Sequence, residues 1–319
     1  MGIISLKRSH SIWLLRRHGL RSKFVQLENG CTFHCWVPED ASDNPSSNLW
    51  KPCFSKLKAS ELGGNMKPAL LLLHGFGTEG TMAWDFQVTS LAKDFHLFIP
   101  DLLCFGRSTT TNKQRSEIFL AESLVIMMKH LGVERSAVLG HSYGGFVAFR
   151  MASLFPTFVT RLFIISSGIT MNPSTNEKLL QEFNATDISE VLLPVSITNA
   201  RKSMKLVYNK LPSWLPNCIF KEVIQNLNQY RSERVEMLDA LVIGKEGSPL
   251  LPKLPQEVLI IWGEEDRIFN IKLAHELIDF LGPNAQLEIL KGVGHLPHVE
   301  KPKFVNELLR HTLKLQEQS

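Results

Sequence analysis

Apolar runs that alternate with stretches of helical spacing predict an α/β protein: a mostly parallel sheet covered by helices on both faces. Two further observations refine that class. A pair of short runs joined by a turn near the start predicts an antiparallel hairpin at one edge of the sheet. The alternation then fails from 170 to 250, which predicts a helical cap inserted between two strands.

The elements follow in chain order. Residues 1–23 form a basic segment. Phe24-Val25-Gln26-Leu27 and Thr32-Phe33-His34-Cys35-Trp36-Val37 flank the turn Glu28-Asn29-Gly30 and read as the hairpin. Residues 38–67 carry Pro, Ser, Asn, Gly and Lys without periodicity and read as a surface insertion. Ala69 to Leu73 is a buried strand, 82–93 has helical spacing, and His96 to Pro100 is the next strand. A helix from Ser116 to His130 is stopped by Gly132. The strand Ser136 to Leu139, a helix running to Phe155-Pro156 and the strand Arg161 to Ile165 complete the first part of the core, 24–169.

In the cap, 170–250, Asp187-x-x-Glu190 has the spacing of a capping box, and Pro194, Pro212 and Pro216 punctuate short helices. Most of Met171, Phe183, Leu192, Leu193, Met204, Tyr208, Trp214, Phe220 and Met237 should pack the cap itself, with a minority lining an apolar cleft. The second part of the core, 251–319, supplies the strands Val258 to Trp262 and Gln286 to Leu290. A helix from Lys272 to Phe280 lies between them, and one from Phe304 to Leu315 closes the chain. Ligands of such sheets bind beyond the carboxyl ends of the strands, so the chemistry is sought there.

The composition, 44% hydrophobic and 21% charged over 319 residues, is globular and sufficient for a large core. The net charge of +4 is concentrated at one end. Lys7, Arg8, Arg16, Arg17, Arg21 and Lys23 precede the first acid, Glu28, and leave 29 basic against 31 acidic residues in the remainder. A basic nucleic-acid surface is therefore not expected. Five scattered cysteines form neither a CxxC pair nor a metal cluster; they read as reduced thiols of a cytosolic-type compartment. No apolar run reaches membrane-spanning length. Ile12-Trp13-Leu14-Leu15 is too short and too close to arginines for a secretory signal, and Leu6 stands where a myristoylation signal wants Ser or Thr. Two readings of residues 1–23 remain: contact with an anionic membrane or organellar targeting, or a short helix packed on the body.

Gly140-His141-Ser142-Tyr143-Gly144 lies between a strand and a helix. G-x-S-x-G in that context is a nucleophile elbow, a strained turn that lifts the serine hydroxyl from the sheet edge. A serine hydroxyl needs an imidazole to take its proton and a carboxylate to hold that imidazole. Asp266 ends Ile261-Trp262-Gly263-Glu264-Glu265-Asp266, just beyond one strand, and His295 ends Gly292-Val293-Gly294-His295, just beyond the last. Glu264, Glu265 and His298 are nearby rivals. His34, His96, His130 and His275 read as surface or packing residues. The oxyanion needs two backbone N–H donors, expected from Tyr143 and from Phe76 in His74-Gly75-Phe76-Gly77; His74 is expected to brace that loop. The same loop contains Gly75-x-Gly77-x-x-Gly80, with Asp101 at the distance of a ribose-binding acid. A dinucleotide site would place this motif on the first strand, and it would leave Ser142, Asp266 and His295 unexplained.

These motifs, with Pro100-Asp101-Leu102 and Phe105-Gly106-Arg107-Ser108, resemble the α/β-hydrolase superfamily from about Phe24 onward. The hairpin and the Phe-Gly-x-Ser loop look most like plant members described as monoacylglycerol-lipase-like or simply as hydrolases. The resemblance implies the chain order Ser, Asp, His. Serine at 142, where epoxide hydrolases and haloalkane dehalogenases carry Asp, points away from those enzymes. The expectation is a serine hydrolase cleaving a small to medium acyl or aromatic ester through an acyl-enzyme, with no cofactor or metal. Ser142 would be the nucleophile, His295 the base, Asp266 its orienting acid, and Phe76 and Tyr143 the oxyanion donors. A C–C bond hydrolase, a hydroxynitrile lyase and a hydrolase-derived small-ligand receptor are the alternatives.

Overall fold

The computed structural model describes residues 2–40 and 67–314. The insertion expected over 38–67 therefore lies almost wholly outside the described residues, as does Cys53. A helix, α1 (Ile3–Arg17), leads into the hairpin β1 (Leu20–Gln26) and β2 (Cys31–Pro38). The first strand begins four residues before the hairpin expected from sequence, because Leu20 to Lys23 pair with Pro38 to Cys35. Arg21, Ser22 and Lys23 obscure a strand that lies at the sheet edge, where charged side chains are tolerated and discourage further pairing.

The core continues through β3 (Ala69–Leu73), α2 (Gly80–Ala83), α3 (Asp85–Leu91), β4 (His96–Pro100), β5 (Thr109–Thr110) and α4 (Glu117–His130). It then runs through β6 (Ser136–His141), α5 (Tyr143–Leu154) and β7 (Val159–Ile165). The single helix expected over 82–93 is two, since Trp84 leaves helical geometry (φ −120°, ψ 14°) to bury its indole completely. The α4 N-terminus is as expected, with Ser116 Oγ accepting from the N–H of Phe119 at 3.2 Å. Five helices follow β7: α6 (Glu177–Phe183), α7 (Ile188–Leu192), α8 (Ile197–Val207), α9 (Asn217–Leu227) and α10 (Arg231–Asp239). The capping box at α7 is one-sided. Asp187 accepts from Ser189 N–H at 2.7 Å, while Glu190 turns instead to Thr186. The chain then returns through β8 (Val258–Gly263), α11 (Lys272–Leu281), β9 (Ala285–Leu290), α12 (Pro297–Glu300) and α13 (Pro302–Lys314).

The strand order is β1-β2-β4-β3-β6-β7-β8-β9, with β5 beside β2. Pairings from β4 to β9 are parallel, and those of β2 with β1, β4 and β5 are antiparallel. Successive residues of one strand serve opposite layers, as the pleat requires. Leu71 and Leu73 pack with Phe119, Leu120, Phe149 and Leu277; Leu70 and Leu72 pack with Leu15, Val88, Val305 and Leu309. Leu15 makes α1 part of the second layer, which favours the packed-helix reading of the first residues. Its polar contacts agree: Lys7 pairs with Asp85, and Arg8 reaches Glu79 at 2.6 Å. Among the described residues no helix is long and apolar enough to cross a membrane.

Candidate active site

Ser142 is the one residue between β6 and α5, at φ +52° and ψ −119°. A positive φ at a residue with a side chain stores strain of order 1–3 kcal/mol, so the surroundings must hold it. They do so at both ends. The N–H of Ser142 donates to the carbonyl of Ile165 at 2.9 Å. Its own carbonyl accepts from Gly145 N–H at 2.8 Å and from Ser167 Oγ–H at 2.7 Å. The flanking glycines are needed for close approach. A Cβ at Gly144 would lie 2.4 Å from the carbonyl oxygen of Leu73, and one at Gly140 would lie 2.3 Å from that of Gly144.

Asp266 and His295 converge on this turn from loops after β8 and β9. His295 Nδ1 lies 2.8 Å from Asp266 Oδ2, and Nε2 lies 3.0 Å from Ser142 Oγ. All three residues are buried, with Ser142 the most exposed at 9%. The second oxygen of Asp266 accepts from the N–H groups of Ile268 and Phe269, both at 2.9 Å, which fixes the carboxylate plane. The carboxylate accepts the Nδ1 proton, leaving Nε2 free to receive one from the serine. His295 is also tied through its backbone, whose N–H donates to the carbonyl of Val207 at the end of α8 at 3.1 Å.

The rivals lie elsewhere. Glu264 and Glu265 are exposed, and Glu264 faces the N–H of Gly292 at 3.3 Å. His298 is buried against Trp84 and His141, at ring separations of 4.8 and 4.6 Å. Burial, and secondarily the nearby His295, pushes its pKa down to about 3. His141 is likewise held well below its usual range by burial, and its Nε2–H donates to the carbonyl of His295 at 2.9 Å. The His141 ring lies against that of His295 at 5.0 Å, and His298 packs against His141 in turn.

Neither the N–H of Phe76 nor that of Tyr143 has an acceptor among the described residues. Each belongs to a peptide unit whose carbonyl is held from behind. His74 Nε2 accepts from Leu102 N–H at 2.9 Å, so Nδ1 carries the proton and donates to the Gly75 carbonyl at 2.9 Å. A trans peptide points its C=O and N–H in opposite directions, so this bond aims the Phe76 N–H. Ser167 does the same for Tyr143 through the Ser142 carbonyl. Ser167 carries no motif, and only the pairing of β6 with β7 brings it here. The acid of the G-x-G-x-x-G alternative is fully committed within the fold: Asp101 accepts from Gly80 N–H at 2.8 Å, Arg107 N–H at 3.0 Å and His34 Nδ1 at 2.8 Å.

Ser142 and His295 open into a cavity of about 780 Å³. Phe76, Tyr143 and Phe146 line it from the core, and Met171, Leu192, Met204, Tyr208, Leu241 and Ile243 from the inserted segment. Of the nine apolar residues singled out there, Leu193, Phe220 and Met237 are wholly buried in packing, while Trp214 is 78% exposed. Sequence gave no sign that Ile3, Ile4 and Lys7 of α1 also form cavity wall.

The α/β-hydrolase fold family model matches residues 68–302. An uncharacterized protein of Mycobacterium tuberculosis is 27% identical over 261 residues, 75% of this chain and 73% of that protein. Lipase 3 of a Moraxella species is 26% identical over 309 residues, covering 91% of this chain and 95% of the lipase. A solved structure described as a membrane phospholipase A superposes with a TM-score of 0.76 at 20% identity, over 99% of this chain and 93% of that one. The two relatives are bacterial, so the likeness to plant monoacylglycerol-lipase-like proteins is not shown by them. The family match covers most of the chain, and the parallel sheet and elbow accord with it: this chain belongs to the α/β-hydrolase fold family.

Proposed function

We propose that the chain is a serine hydrolase that cleaves a carboxylic ester through an acyl-enzyme. The observation that carries the reading is the unbroken relay Asp266–His295–Ser142 at the floor of an apolar cavity. Ser142 Oγ attacks the ester carbonyl while His295 Nε2 takes its proton, and Asp266 stabilises the imidazolium. The N–H groups of Phe76 and Tyr143 hold the oxyanion. The tetrahedral adduct collapses with loss of the alcohol, which receives the proton from His295. Water, deprotonated by His295, then attacks the acyl-enzyme; a second collapse returns the proton to Ser142 Oγ and releases the acid. The helices between β7 and β8 act as a cap that shapes the acyl site.

The cavity volume favours acyl chains of medium length or longer, beyond the small to medium range expected from sequence. An ester chain-length panel on the wild type and Ser142→Ala tests the reading. Turnover should rise from acetyl to medium or long acyl esters and vanish in Ser142→Ala. Cleavage of a dienone substrate without ester turnover would instead establish the C–C hydrolase alternative.

A further inference from the structure

We propose that the outward face of α1 docks on an anionic lipid membrane. The helix is committed on its inner side, where Leu15 enters the core and Ser11 donates to Asp85 at 3.0 Å. Its first N–H groups, from Ile3 and Ile4, donate to the Glu222 carboxylate of α9 at 3.1 and 2.8 Å. The opposite side carries Ile3, Leu6, His10, Trp13 and Arg17 at helical spacing. Ile3, Leu6 and Trp13 are 49%, 50% and 51% exposed, so three large apolar side chains share one stripe. The His10 ring stacks on Trp13 at 5.9 Å, and the Arg17 guanidinium lies 5.1 Å from the indole.

Charge identifies the occupant. Arg17 is exposed at the end of the stripe and Arg16 beside it, and no acid precedes Glu28 in the sequence. The acids beneath the helix are already engaged: Asp85 by Lys7, Glu79 by Arg8, and Glu222 by the helix N-terminus. An apolar stripe with an indole and adjoining arginines matches the boundary between acyl chains and anionic headgroups. Position supplies a second argument. Ile3, Ile4 and Lys7 line the catalytic cavity with Phe86, which is 44% exposed, so the cavity reaches the surface beside the docking face. An acyl substrate could pass from the bilayer to Ser142 without crossing water; this last step rests on the ester reading, whereas docking does not.

The test is flotation with phosphatidylcholine vesicles with and without about 30% phosphatidylserine, alongside hydrolysis of a water-soluble ester. Wild type should float with the anionic vesicles and remain free of the neutral ones. Leu6→Asp/Trp13→Asp should bind at least about tenfold more weakly. Arg16→Glu/Arg17→Glu replaces two cations by two anions and should weaken binding at least about thirty-fold, while leaving the helix's inner contacts untouched. Neither pair lines the cavity, so hydrolysis of the soluble ester should be unchanged in both. Wild type that ignores anionic vesicles, variants that bind as well as wild type, or an α1 face buried in a dimer that binds no lipid would each overturn the proposal. Loss of ester hydrolysis with docking intact would count against the ester reading alone.

Discussion

Replacing Ser167 by Ala tests whether the proposed oxyanion donors are held in place from behind. The hydroxyl donates to the Ser142 carbonyl at 2.7 Å, and that carbonyl keeps a second donor in Gly145 N–H at 2.8 Å. No buried acceptor is orphaned by the change, so the stability cost should be about 1 kcal/mol, that of one ordinary hydrogen bond. Loss of a whole oxyanion donor costs about 3 kcal/mol in the transition state. Losing the shortest of the bonds that aim such a donor should cost about half of that, a roughly tenfold fall in kcat. The ground-state ester does not use the hole, so KM should hold while kcat falls. The affinity of a boronic-acid transition-state analogue should fall in step with kcat/KM. Steady-state kinetics on a soluble ester, with boronate titration and urea melts, reads all three. A loss of stability with kcat and boronate affinity within about twofold of wild type would refute the aiming argument.

Four other outcomes follow from the same geometry. Asp266→Asn can keep its oxygen on the Ile268 and Phe269 amides but presents an NH₂ to His295, forcing the wrong tautomer. Turnover should fall about 10⁴-fold with folding intact by circular dichroism. Gly144→Ala drives a Cβ into the Leu73 carbonyl and should be recovered unfolded or not at all, as judged by soluble yield. His298 and His141 are held neutral by burial, whereas in the unfolded chain they titrate near 6.5. The unfolded state therefore binds protons that the folded state refuses as pH falls below 6.5, for His298 down to about 3. Stability should be fully present above pH 6.5 and lost below it by about 1 kcal/mol per pH unit for each ring, measured as urea midpoints. Met171→Trp should fill part of the cavity and shift the ester preference toward shorter acyl chains, visible as a reordering of kcat/KM across the panel.

What the sequence made legible was whatever has a local signature. Leu70 to Leu73 announces a strand buried on both faces because every residue of it is apolar. Gly140, Ser142 and Gly144 announce the elbow because only small residues can pass that close to the neighbouring strand. Asp266 and His295 could be read as neighbours because each lies in the loop after a strand of one parallel sheet, whose carboxyl ends share an edge. What stayed hidden depends on partners distant in the chain. Ser167 looks like any loop serine until β6 and β7 pair. The strand Leu20 to Lys23 was obscured by its basic residues, and Trp84 breaks a helix through its own burial, which periodicity does not report. The wall that α1 contributes to the cavity arises from contacts with Glu222 and Asn226, more than two hundred residues away.

The central claim is that Ser142, activated by His295, is a nucleophile toward acyl carbonyls. Labelling with a fluorophosphonate, read by intact and peptide mass spectrometry, tests it most directly. Wild type should gain a single adduct on the peptide containing Ser142, Asp266→Asn should label orders of magnitude more slowly, and Ser142→Ala should gain none. An unlabelled wild type, or an adduct that persists in Ser142→Ala, would contradict the account.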